Sequence, residues 1–98
     1  EVVSAEGAES KYRVAEILFK NGSTDESERI VNQFIGQNSP HPYWTARMFL
    51  LLADISIQKG DTLQARATLQ SLQEYYTVRD DGILDEVQSK LASLDQGN

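Results

Sequence analysis

The stop and start signals of this chain recur with a single spacing. Asn21-Gly22-Ser23 and Lys59-Gly60-Asp61 each set a glycine before a residue able to cap a helix, and 38 residues separate the two. Glycine just past a helix end accepts the left-handed backbone that closes the last turn, and serine or aspartate offers an oxygen to the free N–H groups of the next helix. Small residues keep the same frame: Ala15 and Ala53, like Ser27 and Ala65, lie 38 apart. Such residues let the helices of an antiparallel pair approach to about 8 Å. One register explains all four matches, and it requires two consecutive α-hairpins. Leu91-Ala92 follows Leu52-Ala53 at an interval of 39, which makes it the start of a third, unfinished unit.

Helical periodicity fills the frame. Ala8, Tyr12, Ala15, Leu18 and Phe19 fall at three-and-four spacing over 5–20, and the first helix stops at Asn21-Gly22. Ser23 with Glu26 reads as a capping box, and Ser27, Ile30, Val31, Phe34 and Ile35 form the stripe of a second helix ending near Gly36. Pro40 and Pro42 cannot continue that helix, but proline suits the first turn of a new one, so a third runs from Pro42 to about Lys59. Its stretch Met48-Phe49-Leu50-Leu51-Leu52-Ala53 is apolar on every face, which places other helices on several sides of it. Asp61 with Gln64 repeats the capping box at a fourth helix striped by Ala65, Leu69, Leu72 and Tyr76. Asp80 and Asp81 cap a fifth, striped by Leu84, Val87, Leu91 and Leu94, and Gln96-Gly97-Asn98 should fray. Strand signals are nearly absent. The expected fold is all-α: one domain over 1–98, with repeat one at about 5–38, repeat two at about 42–77 and a capping helix at about 80–95.

Composition narrows the function. The chain has 98 residues, a formal charge of −6 and no cysteine. Its length supports one modest core, its charge opposes a phosphate backbone, and the missing thiols exclude disulfides and cysteine-based zinc sites or nucleophiles. The apolar run is far shorter than the roughly 20 residues of a membrane span. The start at Glu1, with no basic stretch leading into an apolar one, suggests a piece of something longer.

With Ala15, Gly22 and Ser27 in one unit and Ala53, Gly60 and Ala65 in the next, the chain resembles the tetratricopeptide repeat family. The resemblance covers about Ala8 to Tyr76 and implies a right-handed superhelical stack of antiparallel helix pairs, five helices in all, with the last as a cap. The family's unit is about 34 residues, so roughly four extra residues belong in the Asn38 to Tyr43 connection or the end of the second helix. Ser27 stands where alanine is usual, and the prolines are shifted to Pro40 and Pro42. Pro42-Tyr43-Trp44, Leu52-Ala53-Asp54, Lys59-Gly60-Asp61 and Gln64-Ala65 are also similar to the C-terminal repeats of large bacterial cell-envelope members, which implies a periplasmic or envelope setting, with the cytoplasm still open.

That family binds partners along the first helix of each pair. The resemblance therefore implies a groove of Glu9, Tyr12, Glu16 and Phe19 from repeat one, and Arg47, Leu50, Asp54 and Ile57 from repeat two. Tyr12, Leu50 and Ile57 are as readily core residues. The partner would be a protein or peptide, upstream repeats of the same parent chain or a second copy, with no nucleic acid, no cofactor and no metal.

Catalytic signals are weak. His41, the one histidine, lies between two prolines and reads as a loop or cap residue. No nucleophile elbow or glycine-rich phosphate loop is present. Asp80, Asp81, Asp85 and Glu86 could offer oxygens to a hard cation, but acidic residues at a helix start more simply complement its dipole. Glu16 and Asp54 hold equivalent positions and could face one another as an acid pair, yet no orienting group accompanies them. Tyr43, Trp44, Tyr75 and Tyr76 read as an aromatic staple over one end of the core, or as a partner-facing patch. The sequence favours a non-catalytic interaction scaffold; the alternative is the terminal stack and cap of a longer solenoid, with no partner site of its own.

Overall fold

The computed structural model describes residues 4–96. It is all-helical, with α1 Ala5–Lys20, α2 Thr24–Gly36, α3 Pro42–Gln58, α4 Thr62–Tyr75 and α5 Ile83–Gln96, and no strand among the described residues. Gly97 and Asn98, where fraying is expected, lie outside the described residues, as do Glu1 and the outermost ends of the 1–98 domain.

The two glycine turns are built alike. Gly22 and Gly60 take φ of 90° and 84°. The N–H of Gly22 donates to the Phe19 carbonyl and that of Ser23 to Leu18; Gly60 donates to Ile57 and Asp61 to Ser56. Each is the paired closure that satisfies the last carbonyls of a helix whose next residue is left-handed. The same bonds correct the expected Ser23 and Glu26 capping box. A capping box needs a free N–H on the cap residue for the glutamate to reach, and the Ser23 N–H is already engaged with Leu18. Ser23 remains the N-cap, but its side chain makes no capping bond, and Glu26 lies 3.7 Å from Arg29 instead. Asp61 does cap with its side chain, accepting from the Gln64 N–H at 3.0 Å, but its own N–H is engaged with Ser56, so the expected box with Gln64 is also only half formed.

Each helix packs on its sequence neighbour, and α1, α3 and α5 also adjoin one another in a row, while α2 and α4 have no close backbone approach. The extents of 42 × 31 × 18 Å give a slab whose thin dimension is about two helix diameters. Two apolar clusters fill it. Ala8, Tyr12, Ala15, Val31 and Phe34 meet Met48, Leu51, Leu52 and Ile55 in the first; Ala65, Leu69, Leu72, Ile83 and Val87 meet Ala46, Leu50 and Ala53 in the second. The central helix α3 therefore serves both, as its all-round apolar character requires. In α5 the deeply buried side chains are Ile83 and Val87, whereas Leu84, Leu91 and Leu94, placed in the stripe by periodicity, are only half-buried.

The close approach of α1 and α2 is tied by a polar bond. Ser27 is fully buried, and its Oγ donates to the Ala15 carbonyl at 2.7 Å. A buried hydroxyl requires such an acceptor, and only a small residue could bring one so near. Ala53 and Ala65, the equivalents in the second hairpin, are both fully buried in the second cluster.

Candidate interaction face along the first helices

The eight groove positions separate by depth. Tyr12 and Leu50 are buried in the core; Glu16, Phe19, Arg47 and Asp54 are half-buried; Glu9 and Ile57 are exposed. Position in the helix accounts for this. Tyr12 and Leu50 are register equivalents that point into the seams beside α3, and Phe19 packs against the edge of the first cluster.

Charged groups bridge the row. Arg47 Nη1 meets Glu86 Oε1 of α5 at 2.8 Å, and Arg47 Nη2 donates to the Tyr12 hydroxyl of α1 at 3.3 Å. The Tyr12 hydroxyl donates in turn to Glu16 Oε2 at 3.4 Å, and the Arg47 guanidinium sits 5.5 Å from the Tyr12 ring centroid. Burial alone would lower the Arg47 pKa, but its hydrogen bonds to Tyr12 and Glu86 outweigh that and hold the guanidinium more firmly protonated. The Tyr12 phenol is pushed up by burial, only partly offset by Arg47. Farther along, Lys90 Nζ of α5 donates to both Asp54 oxygens at 2.8 and 3.1 Å. Asp54 and Ile57, with Thr62, Arg66, Lys90 and Leu94, line a depression of about 360 Å³.

Glu16 and Asp54 are not an acid pair. Glu16 neighbours Arg13 at 3.5 Å and Lys20 at 3.7 Å, while Asp54 is held by Lys90. Each carboxylate has a cation of its own, because a neighbouring helix supplies Lys90 and the next turns of α1 supply Arg13 and Lys20. Among the described residues no three histidine or acidic side chains are grouped to hold a metal ion. Of the acidic run before and within α5, Asp81 caps the helix, accepting from the Ile83 N–H at 3.1 Å, and also accepts from the Tyr76 hydroxyl; Glu86 joins Arg47. His41 takes the N-cap position of α3, its N–H donating to Ser39 Oγ at 3.2 Å and its carbonyl accepting from Thr45.

Two members of the row, Glu86 and Lys90, were not among the expected groove residues. A signal for Glu86 was present: Glu9, Arg47 and Glu86 follow one another at intervals of 38 and 39, alternating in sign. Three of the four aromatic residues expected as a staple lie together, and Tyr75 stands apart. Trp44 lies 5.8 Å from Tyr12 and 4.9 Å from Tyr43, Tyr43 and Tyr76 border the second cluster, and Tyr75 is 73% exposed. No helix among the described residues is long and apolar enough to cross a membrane. Comparison with protein-family models, with curated proteins and with solved structures finds no match to this chain.

Proposed function

We propose that this chain is a non-catalytic interaction scaffold of the tetratricopeptide type, a right-handed stack of helix pairs capped by α5, that receives a protein or peptide on the face of α1 and α3. The observation that carries this reading is the row α1, α3, α5, whose side chains meet across both seams through Tyr12, Arg47 and Glu86 and through Asp54 and Lys90. Such bridges fix the helices and leave Glu9, Ile57 and the outer parts of Glu16 and Phe19 as the surface a partner would touch. The non-catalytic reading is supported by Glu16 and Asp54, which lie against Arg13 with Lys20 and against Lys90 rather than converging on a shared point.

A photo-crosslinking amino acid at Glu9, Glu16 or Ile57, compared with Arg29 and Gln33 on the exposed side of α2, tests this. Adducts with a partner from the first three positions support the reading. Adducts from the α2 positions alone refute it.

One observation favours the second reading, a terminal stack of a longer solenoid. Val14 and Ile17 of α1 are 49% and 56% exposed, yet they lie 38 residues before Leu52 and Ile55, which are buried in the cluster beneath α2. The equivalence supports a helix, from preceding repeats or a second copy, lying over α1 as α2 lies over α3. Association of the isolated chain that Val14→Glu with Ile17→Glu abolishes would support a second copy as that helix; a strict monomer at every concentration would remove the second copy.

A further inference from the structure

The turn between α1 and α2 carries a reactive pair that the turn between α3 and α4 lacks. Asn21 is the only asparagine of the chain followed by glycine, whereas Lys59 precedes Gly60. The side-chain carbonyl carbon of an asparagine and the next backbone nitrogen can close a five-membered imide, and a Cβ on the attacking residue crowds that approach. Asn21, Gly22 and Ser23 are exposed, and nothing lies within 4 Å of where a Gly22 Cβ would stand, so solvent reaches the pair.

Other positions are less suited. Asn32 precedes Gln33 inside α2, where the backbone is held helical, and Asn38 precedes Ser39, which has a Cβ. Asp81 precedes Gly82 but carries a carboxylate, and its two oxygens are engaged by the Ile83 N–H and the Tyr76 hydroxyl.

The fold restrains Asn21 without removing its reactivity. Its ψ is 4°, and the imide needs the Gly22 nitrogen turned to eclipse Cβ, about 120° away around the Cα–C bond. That rotation breaks the bonds from Gly22 to the Phe19 carbonyl and from Ser23 to the Leu18 carbonyl. Reaction therefore waits on opening of the last turn of α1.

We propose that Asn21 is a site of spontaneous covalent modification, in which the turn between α1 and α2 sets the rate. Solvent base takes the Gly22 amide proton, and the nitrogen bonds to Asn21 Cγ. The Cγ–Nδ2 bond breaks and ammonia leaves with a proton. Water then opens the imide at either carbonyl, giving aspartate or isoaspartate. Either product sets a carboxylate at the negative end of the α1 dipole, and isoaspartate adds a methylene to the backbone inside the paired closure. The first hairpin thus ages by a route closed to the second, whether or not the first-helix face receives a partner.

The test incubates the folded chain at pH 8 and 37 °C and maps its peptides by mass spectrometry. Residue 21 gains the mass of an ammonia-for-water exchange before any other position, with matching release of ammonia. Guanidinium chloride raises the rate there by roughly tenfold or more, because the turn no longer has to open. Asn21→Gln, which would need a larger ring, stays unmodified over the same period, and Lys59→Asn gains a second site at the equivalent turn. In the separated isoaspartate form, the Gly22 and Ser23 amides exchange hydrogen faster, while those of Gly60 and Asp61 keep their rates. The proposal is overturned if Asn32 or Asn38 is converted first, if folded and denatured chains react alike, or if the isoaspartate form exchanges at Gly22 and Ser23 as the parent does.

Discussion

The close approach of α1 and α2 can be tested against its counterpart in the second hairpin. Ser27→Ala removes the 2.7 Å bond to the Ala15 carbonyl at a fully buried site. The net loss is about 1 kcal/mol for the hydrogen bond, less a few tenths returned by alanine's better helix propensity, so roughly 0.5 kcal/mol remains. At 98 residues this lowers Tm by about 2–4 °C. Ala65→Ser is the reverse exchange. If the hairpins share a register, its hydroxyl finds the Ala53 carbonyl as Ser27 finds Ala15, and the cost stays under about 1 kcal/mol rather than the larger penalty of an unpaired buried hydroxyl. Leucine adds two heavy atoms at Ser27 and three at Ala65 where the backbones meet and costs about 2–3 kcal/mol or more. Thermal and urea unfolding followed by far-UV circular dichroism and Trp44 fluorescence measure all four. The reasoning fails if Ala65→Leu is as stable as the starting chain, or if Ala65→Ser loses as much as Ala65→Leu.

Three further outcomes are expected. The Tyr76 phenol is pushed up by burial and by its bond to Asp81, and Tyr12 by burial; a raised folded value means their contribution is complete below about pH 10 and is lost as pH climbs through the folded value. Phenolate absorbance should show a late-ionising component that Tyr12→Phe and Tyr76→Phe each reduce, and a urea midpoint falling above about pH 10 should fall less steeply in Tyr76→Phe. Gly36→Ala, at a helical site with open space around it, should gain up to about 1 kcal/mol, while Gly60→Ala, at φ of 84°, should lose about as much; equal effects in urea titrations would contradict the turn geometry. Val14→Ala and Ile17→Ala should change stability by less than about 0.5 kcal/mol, whereas Leu52→Ala and Ile55→Ala should each cost about 2–5 kcal/mol, a contrast that calorimetry resolves.

Helix limits were legible because their signals are local. Lys20 before Asn21-Gly22, Pro42 after a break, and Gln58 before Lys59-Gly60 each end or begin a helix through the conformational limits of one or two residues. Burial around α3 was legible too, since a helix apolar on every side must be covered on every side. What the sequence hid depends on bonds formed elsewhere. Glu26 could not complete a capping box because Leu18 had taken the Ser23 N–H, and nothing in the local motif reveals that. Ser27 was legible as a small residue of the stripe at the close approach, but the spacing does not reveal that its hydroxyl finds the Ala15 carbonyl. The first-helix face was implied by the family resemblance, and the 38- and 39-residue spacing marks Glu86 beside Arg47, but nothing in the sequence marks Lys90 as the partner of Asp54. The gap between α2 and α4 was not legible at all, since it depends on how both helices lie against α3.

A helix that belongs to both apolar clusters leaves the molecule no plane along which it could divide into two independent halves. Phe49 borders the two clusters, while Met48 and Leu50, two positions apart on α3, each lie fully inside a different one. Melting α3 would strip cover from both hairpins at once, so neither could survive as a partly folded remnant. Amides of α1 and α4 would therefore exchange with solvent through one shared opening, with graded loosening confined to α5 and the outer turns of α1. An array assembled from such units would lose its ends singly but its middle all together.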